Sequence, residues 1–507
     1  MYYNGLDEQH RFSTQACRVL IIASLSRLIK GFVGTALAAA LSVPALGAEL
    51  PPSVLKALNA VGIPESSVGA VVQEVGTARP SLAVNARQPM NPASTMKLVT
   101  TYAALELLGP AYKWKTEVYL DGDNVVIRGS GDPKLNYESF WTLLRSLRSR
   151  GLSEIRGDFV LDRTLFAPVA NGKFDDDTYR PYNVGPDALL VNFKSVRFLF
   201  FPDPERGAVR VAAEPTLPGL VITNLLRLGG GSCPEGRTFR DLLQATFQPQ
   251  PPRAAFTGVY PVSCGERDLN VALHNPEDYV AGMIRQLWTE LGGSLRGTVR
   301  DGTASPEARL VYEHESQPLA ELVRDINKFS NNVMARQLFL TLAAEQVGTP
   351  ARAEDAFTAI KQFLEKKGIK APELVLENGS GLSRVERISA ANLAALLQAA
   401  WASPVMPELV ASLPVVAADG TMKKRLRGER VAGNAHIKTG LLNDAYAVAG
   451  YVLDRRGRRH VVVMLINHPR APEAQAALDA LVAWTYEGAR VPAPATSRPH
   501  DASPRHP

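Results

Sequence analysis

The sequence predicts a protein of the mixed α/β (α+β) class that is divided into more than one domain. The chain has 507 residues, which is more than a single hydrophobic core usually serves. Apolar residues recur at helical spacing near the amino terminus and again after Pro318, whereas short alternating runs typical of strands lie between these regions. Prolines and glycines are concentrated in residues 202–264, which indicates a small β-rich insertion.

The amino-terminal region predicts a helix over residues 51–62 and strands over residues 68–75 and 81–84. A longer helix begins near Ser94 and ends at residues 109–110, because a Gly-Pro pair is a strong stop signal. That helix is apolar on nearly every side. We therefore expect it to be buried in a large core.

The rest of the chain alternates between the two periodicities. The middle region predicts short strands over 115–120, 124–128, 209–212 and 219–223, and helices over 137–150 and 276–291. The last region predicts helices over 319–329, 332–344, 351–367, 390–401 and 472–486, and strands over 436–438, 446–453 and 460–467. The last two strands form a hairpin, and the proline-rich tail from Val491 is predicted to be disordered.

An export signal is predicted for residues 1–48. Arg27 and Lys30 precede an apolar run over residues 31–46, which ends among small residues suited to cleavage. No later segment reaches the length of a membrane span, so we expect a periplasmic protein with at most a peripheral association with the envelope.

Two cysteines, Cys233 and Cys264, remain after removal of the signal. In an oxidising compartment they are expected to form a disulfide. Two separate buried thiols are the alternative.

The charge of the chain argues against a nucleic-acid partner. A formal net charge of +6 is small for 507 residues, opposite charges are mixed along the chain, and aromatic residues make up only 7%. A mildly basic protein suits the neighbourhood of an anionic envelope polymer, but no concentrated basic stripe is present. The histidines lack the spacing of zinc proteases, so neither a metal nor a cofactor is expected.

A serine and a lysine three residues apart lie in the first turn of the predicted buried helix. Positions i and i+3 share a helix face, so the Lys97 amine comes within reach of the Ser94 hydroxyl. Burial lowers the pKa of an amine, which makes a neutral lysine available as a base for the serine. The plainer alternative is that Ser94 caps the helix and Lys97 reaches into solvent. A second match, Ser53 with Lys56, is interpreted as chance.

Two further motifs favour the chemical alternative. The triplet Ser-Asn-Asn at residues 330–332 lies at a loop-to-helix junction, and Lys-Thr-Gly at residues 438–440 lies at the end of a strand. Taken singly, the first is also explained as a helix cap and the second as a strand entering a turn. In this order, however, the three motifs form the combination of penicillin-recognising serine acyl-enzymes.

On these motifs the chain resembles a low-molecular-mass penicillin-binding protein of the D-alanyl-D-alanine carboxypeptidase/endopeptidase type, peptidase family S13. The loop at 378–383 and the segment at 419–422 add to the resemblance, which covers residues 50–488. It implies a transpeptidase-like domain with an antiparallel sheet between helices, interrupted by two inserted, mostly β domains. The implied boundaries are 49–113 with 310–488 for the catalytic domain, 114–201 with 265–309 for the inserted domain, 202–264 for the nested β domain and 489–507 for the tail.

The resemblance also implies how the reaction proceeds. Ser94 is the nucleophile, Lys97 is its base, and Ser330 relays the proton to the leaving group. Water then hydrolyses the acyl-enzyme, whereas a β-lactam acylates Ser94 and stays bound. The implied partners are peptidoglycan stem peptides and β-lactams.

The implied substrate-binding residues come from the second and third motifs. Asn332 holds the substrate amide and steadies Lys97, and Lys438, Thr439 and Gly440 form the wall that binds the terminal carboxylate of a D-Ala-D-Ala stem peptide. The backbone N–H groups of Ser94 and Leu441 form the oxyanion hole, which needs only main-chain donors.

Leu441 is a departure from the family pattern, because relatives usually carry Ser or Thr at that position. The oxyanion N–H survives this change, but a hydroxyl that helps to bind the carboxylate is lost. This favours endopeptidase cleavage of crosslinks over strict carboxypeptidase activity. Two other functions stay open: a β-lactamase, for which the sequence offers no deacylating glutamate, and a non-catalytic wall-binding or β-lactam-sensing protein.

Overall fold

The structure, a computed structural model, describes residues 49–489 except 170–173, 176–178, 235–236 and 274. The predicted export signal, residues 1–48, and the predicted disordered tail from Val491 lie outside the described residues. The helices are α1 (Pro52–Ala60), α2 (Lys97–Leu107), α3 (Tyr137–Ser149), α4 (Arg237–Leu242), α5 (Pro276–Glu290), α6 (Leu319–Phe329), α7 (Asn332–Gln346), α8 (Ala353–Lys366), α9 (Ala390–Trp401), α10 (Met406–Ser412) and α11 (Gln475–Tyr486). Within the described ranges, none of them combines the length and the apolarity needed to cross a bilayer.

The strands are short and lie in two regions of the described chain, residues 68–315 and 435–467. They are β1 (Val68–Glu74), β2 (Leu82–Val84), β3 (Lys115–Asp121), β4 (Asn124–Arg128), β5 (Glu154–Ile155), β6 (Phe159–Asp162), β7 (Val196–Asp203), β8 (Ala208–Glu214), β9 (Val221–Gly229), β10 (Thr246–Pro249), β11 (Pro252–Pro261), β12 (Arg267–Val271), β13 (Ser294–Leu295), β14 (Val299–Asp301), β15 (Arg309–Glu315), β16 (Ala435–Leu441), β17 (Ala445–Leu453) and β18 (Arg459–Asn467).

The sheet next to the three motifs is antiparallel and is built from both ends of the described chain. Its strand order is β16-β17-β18-β1-β2. The predicted hairpin joins β17 to β18, with Gly457 at φ +79 in its turn, a left-handed conformation that glycine adopts without steric cost. β1 then pairs with β18 along its whole length, from Val68 opposite Ile466 to Glu74 opposite His460.

Helices cover both faces of this sheet. Successive side chains of a strand point to opposite faces, and β18 shows the consequence. Val461, Val463 and Leu465 pack into a cluster with α2, α6, α7, α8 and α9. Val462, Met464 and Ile466 pack on the other side with α1 and α11. The predicted arrangement, an antiparallel sheet between helices, is therefore confirmed.

The helix predicted to be buried is α2. A short 3₁₀ turn, Ala93–Met96, leads into it, and the residues from Lys97 to Leu105 are all buried. It lies between α6, α7, α8 and α9 in the larger of the two clusters around the sheet. Its apolar surface has no solvent-facing side, as the sequence pattern required.

A separate hydrophobic cluster forms inside the insert, with buried members between Val118 and Trp288. It is surrounded by a five-stranded mixed sheet, β14-β6-β4-β3-β15, and by two three-stranded sheets, β10-β11-β9 and β12-β7-β8. A disulfide joins Cys233 to Cys264 at a Cα–Cα distance of 4.8 Å. Because β15 pairs with β3, the predicted boundary at residue 310 falls inside a strand of the insert's sheet. The domain boundaries otherwise stay a prediction.

Candidate active site

Ser94 and Lys97 lie side by side where the 3₁₀ turn enters α2. Residues three apart eclipse one another in a 3₁₀ helix, so both side chains emerge on the same side. Lys97 Nζ lies 2.9 Å from Ser94 Oγ. The alternative that Ser94 caps the helix is wrong, because the cap position of α2 is Met96 and no side-chain capping bond forms there.

Three acceptors surround the Lys97 amine, which is completely buried. Besides Ser94 Oγ, these are Asn332 Oδ1 at 2.5 Å and the carbonyl oxygen of Ser380 at 2.5 Å. Burial, followed by the nearby charge of Lys438, holds the pKa of Lys97 well below its usual value. A neutral Lys97 can donate two N–H groups to Asn332 and Ser380 and accept the Ser94 proton on its lone pair.

The second motif meets this amine from the junction of α6 and α7. Ser330 ends α6 in a left-handed conformation, at φ +57. Asn331 caps α7 by accepting the backbone N–H of Met334, so the alternative that Ser330 is the cap is wrong. Asn332 begins α7 and contacts Lys97, and Ser330 Oγ accepts a hydrogen bond from Lys438 Nζ at 2.8 Å.

The third motif contributes a second buried amine from β16. Lys438 is wholly buried, and Nζ donates to Ser330 Oγ and, at 2.7 Å, to the carbonyl oxygen of Thr439. Burial lowers the pKa of Lys438 to about 7. Thr439 Oγ1 lies 2.8 Å from Thr421 Oγ1 in the 3₁₀ turn Gly420–Met422.

Gly440 is required by the close approach of β16 to the Ser94 turn. A Cβ atom at this position would lie 2.7 Å from the backbone nitrogen of Ser94 and 2.8 Å from the carbonyl oxygen of Pro92. Real Cβ atoms do not come so close to backbone atoms. The next side chain, Leu441, is 55% exposed. The structure thus brings every predicted site residue of the three motifs to one place.

The loop at 378–383 supplies contacts that sequence reasoning did not identify. Gly381, at φ +77, packs so tightly that a Cβ would lie 1.9 Å from the carbonyl oxygen of Ala93. Asn91 ties the same loop to the Ser94 turn: its Nδ2 donates to Ser383 O at 2.9 Å and its Oδ1 accepts from Ala93 N at 2.9 Å. These bonds fix the wall behind the Lys97 amine.

Sequence reasoning also missed two buried charged residues near the loop at 378–383. Glu386 is 0% exposed and Arg336, on α7, is 8% exposed. Both act electrostatically on Lys97, Glu386 raising its pKa and Arg336 lowering it. Nothing in the sequence pattern distinguishes them from surface charges, since Glu386 lies in a loop and Arg336 is a single charge within an apolar helix.

A serine hydroxyl beside a buried lysine amine, on an antiparallel sheet between helical layers, defines a serine-type peptidase of the penicillin-recognising class. Family comparison agrees: residues 53–487 match the D-Ala-D-Ala carboxypeptidase 3 (S13) family. The chain belongs to this family. The predicted family and the predicted enzyme class, a serine-type D-Ala-D-Ala carboxypeptidase, are therefore confirmed.

Relatives in Haemophilus influenzae extend this finding. The chain is 25% identical over 419 residues to its D-alanyl-D-alanine carboxypeptidase DacB, covering 80% of this chain and 86% of the relative. The crystal structure of penicillin binding protein 4 (dacB) from that organism matches with a TM-score of 0.69 at 24% identity, covering 85% of this chain and 99% of that one. A second structure, in complex with a β-lactam, matches with a TM-score of 0.66 at 24% identity, covering 84% and 98%.

Proposed function

We propose that the chain cleaves the D-Ala-D-Ala bond of peptidoglycan stem peptides, and the crosslinks between stem peptides, through an acyl-enzyme on Ser94. The single observation that carries the proposal is the position of the Lys97 amine, which contacts both the Ser94 hydroxyl and the Asn332 amide oxygen. Both amines of the site are buried, whereas Ser94 itself is only partly buried. The nucleophile is thus open to substrate while its base is protected from water.

Acylation follows from these contacts. Neutral Lys97 takes the Ser94 proton as Oγ attacks the carbonyl carbon of the penultimate D-Ala. When the tetrahedral intermediate collapses, the C–N bond breaks and the leaving amine takes up the proton that Lys97 accepted, relayed through the hydroxyl of Ser330, which Lys438 Nζ holds by a hydrogen bond. Water then attacks the ester, releases the shortened peptide and restores Ser94.

Substrate binding is assigned to the wall formed by β16 and α7. Lys438 in its charged form binds the terminal carboxylate together with Thr439, because charge-assisted hydrogen bonds are about twice as strong as neutral ones. Asn332 holds the substrate amide. The N–H groups of Ser94 and Leu441 stabilise the developing oxyanion, consistent with the close approach of Gly440 to the Ser94 nitrogen.

Leu441 supports an endopeptidase component. An exposed leucine offers no hydroxyl to a free carboxylate, but it does offer apolar surface to a longer leaving group. The family, together with a β-lactam complex of the Haemophilus influenzae protein, supports β-lactams as inhibitors that acylate Ser94. Export through the predicted signal would place the enzyme in the periplasm, where its substrate lies.

Mass spectrometry of the adduct formed with a fluorescent penicillin tests the proposal. The label is expected on Ser94, and Ser94→Ala is expected to abolish both labelling and the release of D-alanine or of monomers from crosslinked dimers. Ser53→Ala, in the chance match to the motif, is the control and should label normally. An adduct on another residue would refute the assignment, and labelling without any release would indicate a sensor.

A further inference from the structure

Glu386 is a buried carboxylate that no step of the proposed reaction uses. It is wholly shielded from solvent. Its Oε1 accepts the backbone N–H groups of Glu377 at 3.1 Å, Asn378 at 3.0 Å and Gly379 at 2.9 Å. Three donors converging on one oxygen fix the conformation of this turn, and without Glu386 the buried N–H of Gly379 would lack this acceptor.

The turn held by Glu386 ends at the Lys97 amine. The residue after Gly379 is Ser380, whose carbonyl oxygen accepts from Lys97 Nζ. Gly379 itself accepts a hydrogen bond from Thr100 Oγ1 at 2.7 Å, one turn further along α2. Glu386, the turn and the start of α2 therefore form one continuous hydrogen-bonded unit around the base of the reaction.

The charge of Glu386 also distinguishes it from a purely structural residue. Among the described residues, the charged groups that act on Lys97 are Lys438 from β16, Glu386 from the loop and Arg336 from α7, and of these Glu386 alone is acidic. The two cations lower the pKa of Lys97, whereas Glu386 raises it. The pKa of Glu386 is raised, mainly by burial, and its three N–H donors and Lys97 oppose that rise. Among the described residues, its second oxygen has no hydrogen-bond partner.

We propose that Glu386 is a positioning residue for acylation, which holds residues 377–380 against Lys97 and places a negative charge near this amine, opposite the cations Lys438 and Arg336. Lowering the pKa of an amine increases its neutral fraction but also makes it a weaker base. If the pKa of Lys97 is too low, this amine takes up the Ser94 proton poorly and general base catalysis is slower. The inference rests on the proposed function, since it assigns Lys97 as the base for Ser94.

The test is the pH profile of the acylation rate with a chromogenic or fluorescent penicillin. Glu386→Gln keeps an oxygen for the three N–H groups but removes the charge. We expect the acidic limb of the profile, which reports Lys97 losing its proton, to move to lower pH, and the plateau rate to fall by about 3- to 10-fold. A residue that only holds the turn would change the rate without moving the limb.

Glu373→Gln is the matched control. Glu373 also accepts hydrogen bonds near a helix start, from Ser389 N at 3.1 Å and from Asn392 Nδ2 at 2.7 Å, but it does not act on Lys97. Its variant should keep the wild-type profile. The variants Glu386→Asp and Glu386→Asn have side chains of equal length that differ in charge. The acidic limb of Glu386→Asn should lie at lower pH than that of Glu386→Asp.

The outcomes separate the two proposals. If the wild-type protein does not acylate at Ser94, the proposed function fails. If the wild type acylates and its acidic limb lies at the same pH as that of Glu386→Gln, only the role of Glu386 is overturned. Where Glu386→Gln does not fold, coincident limbs in the Asp and Asn pair overturn that role in the same way.

Discussion

The two buried lysines of the site differ in how their donors are used. The Lys97 amine has three acceptors around it, one of them the hydroxyl that it is proposed to activate. The Lys438 amine has two, Ser330 Oγ and Thr439 O, which leaves its third N–H without an acceptor among the described residues. In the proposed mechanism, the first amine transfers a proton inside the protein, and the second has a donor left for a ligand.

Removing the Lys97 amine is expected to have the largest effect. Lys97→Met leaves Ser94 without a base, and general base catalysis accounts for about 100- to 10,000-fold in rate. The acylation rate with penicillin, measured by stopped flow, should fall by about 1,000-fold or more. Lys56→Met, at the exposed lysine of the chance motif, should acylate at the wild-type rate. Rapid acylation in Lys97→Met would show that another group deprotonates Ser94.

Removing the Lys438 amine should affect binding more than chemistry, and should also stabilise the fold. A charge-assisted hydrogen bond contributes about 1.5–3 kcal/mol, so kcat/KM for a peptide ending in D-Ala-D-Ala should fall by about 10- to 100-fold in Lys438→Met. The expected change is mainly in KM. Met fills the space of a buried amine without its desolvation cost, so Tm should rise. A fall in Tm would show that the protein stabilises the charged Lys438 amine by more than its hydrogen bonds to Ser330 Oγ and Thr439 O.

The same residue predicts a pH dependence of activity. Lys438 must be charged to bind a carboxylate, and its pKa in the free enzyme is about 7. The value of kcat/KM should therefore fall as pH rises above about 7, whereas a substrate with a C-terminal amide should lack this limb.

The free energy of unfolding should change with pH in the opposite direction. The unfolded chain keeps the Lys438 proton up to about pH 10, whereas the folded chain loses it near pH 7, so the folded state gains stability as pH rises from about 7 to 10. Urea unfolding across this range would check that gain, which Lys438→Met should lack.

The smallest predicted effect concerns the rim of the site. Leu441→Thr places a hydroxyl on the same face of β16 as Thr439, and one added neutral hydrogen bond is worth about 1 kcal/mol. KM for D-alanine release should fall by about fivefold, while cleavage of crosslinked dimers should be unchanged or weaker. Leu442→Thr, one residue beyond and nearly buried, is the control for effects on folding. An equal gain on both substrates would contradict the role given to Leu441.

Most of the framework was predictable from the sequence because its signals are local. The helices predicted over 319–329 and 390–401 form α6 and α9 at those bounds, one beginning after Pro318 and the other capped by Ser389, whose side chain accepts from Asn392 N. The short helices α4 and α10 were not predicted. Each spans two turns or fewer, which is too little for periodicity to distinguish from a loop.

The motif residues of the site were predictable because their chemistry lies in side chains of defined type. The residues that surround the motifs could not be predicted from the sequence. Ser380 contributes a carbonyl oxygen, which every residue carries, and Glu386 acts through a turn whose conformation no short-range pattern specifies. Thr421 belonged to a segment noticed for its resemblance, but its contact with Thr439 depends on how the 3₁₀ turn lies against β16.

The pairing of β1 with β18 has a consequence for biosynthesis. The first strand of the described residues, β1, finds its neighbour β18 only when residues up to 467 have been made, and contacts of such sequence separation form late and slowly. Neither amine can be shielded from water before that closure. If the proposed mechanism holds, an incomplete polypeptide therefore carries Ser94 without a shielded base, and activity is expected only from molecules in which this sheet has closed.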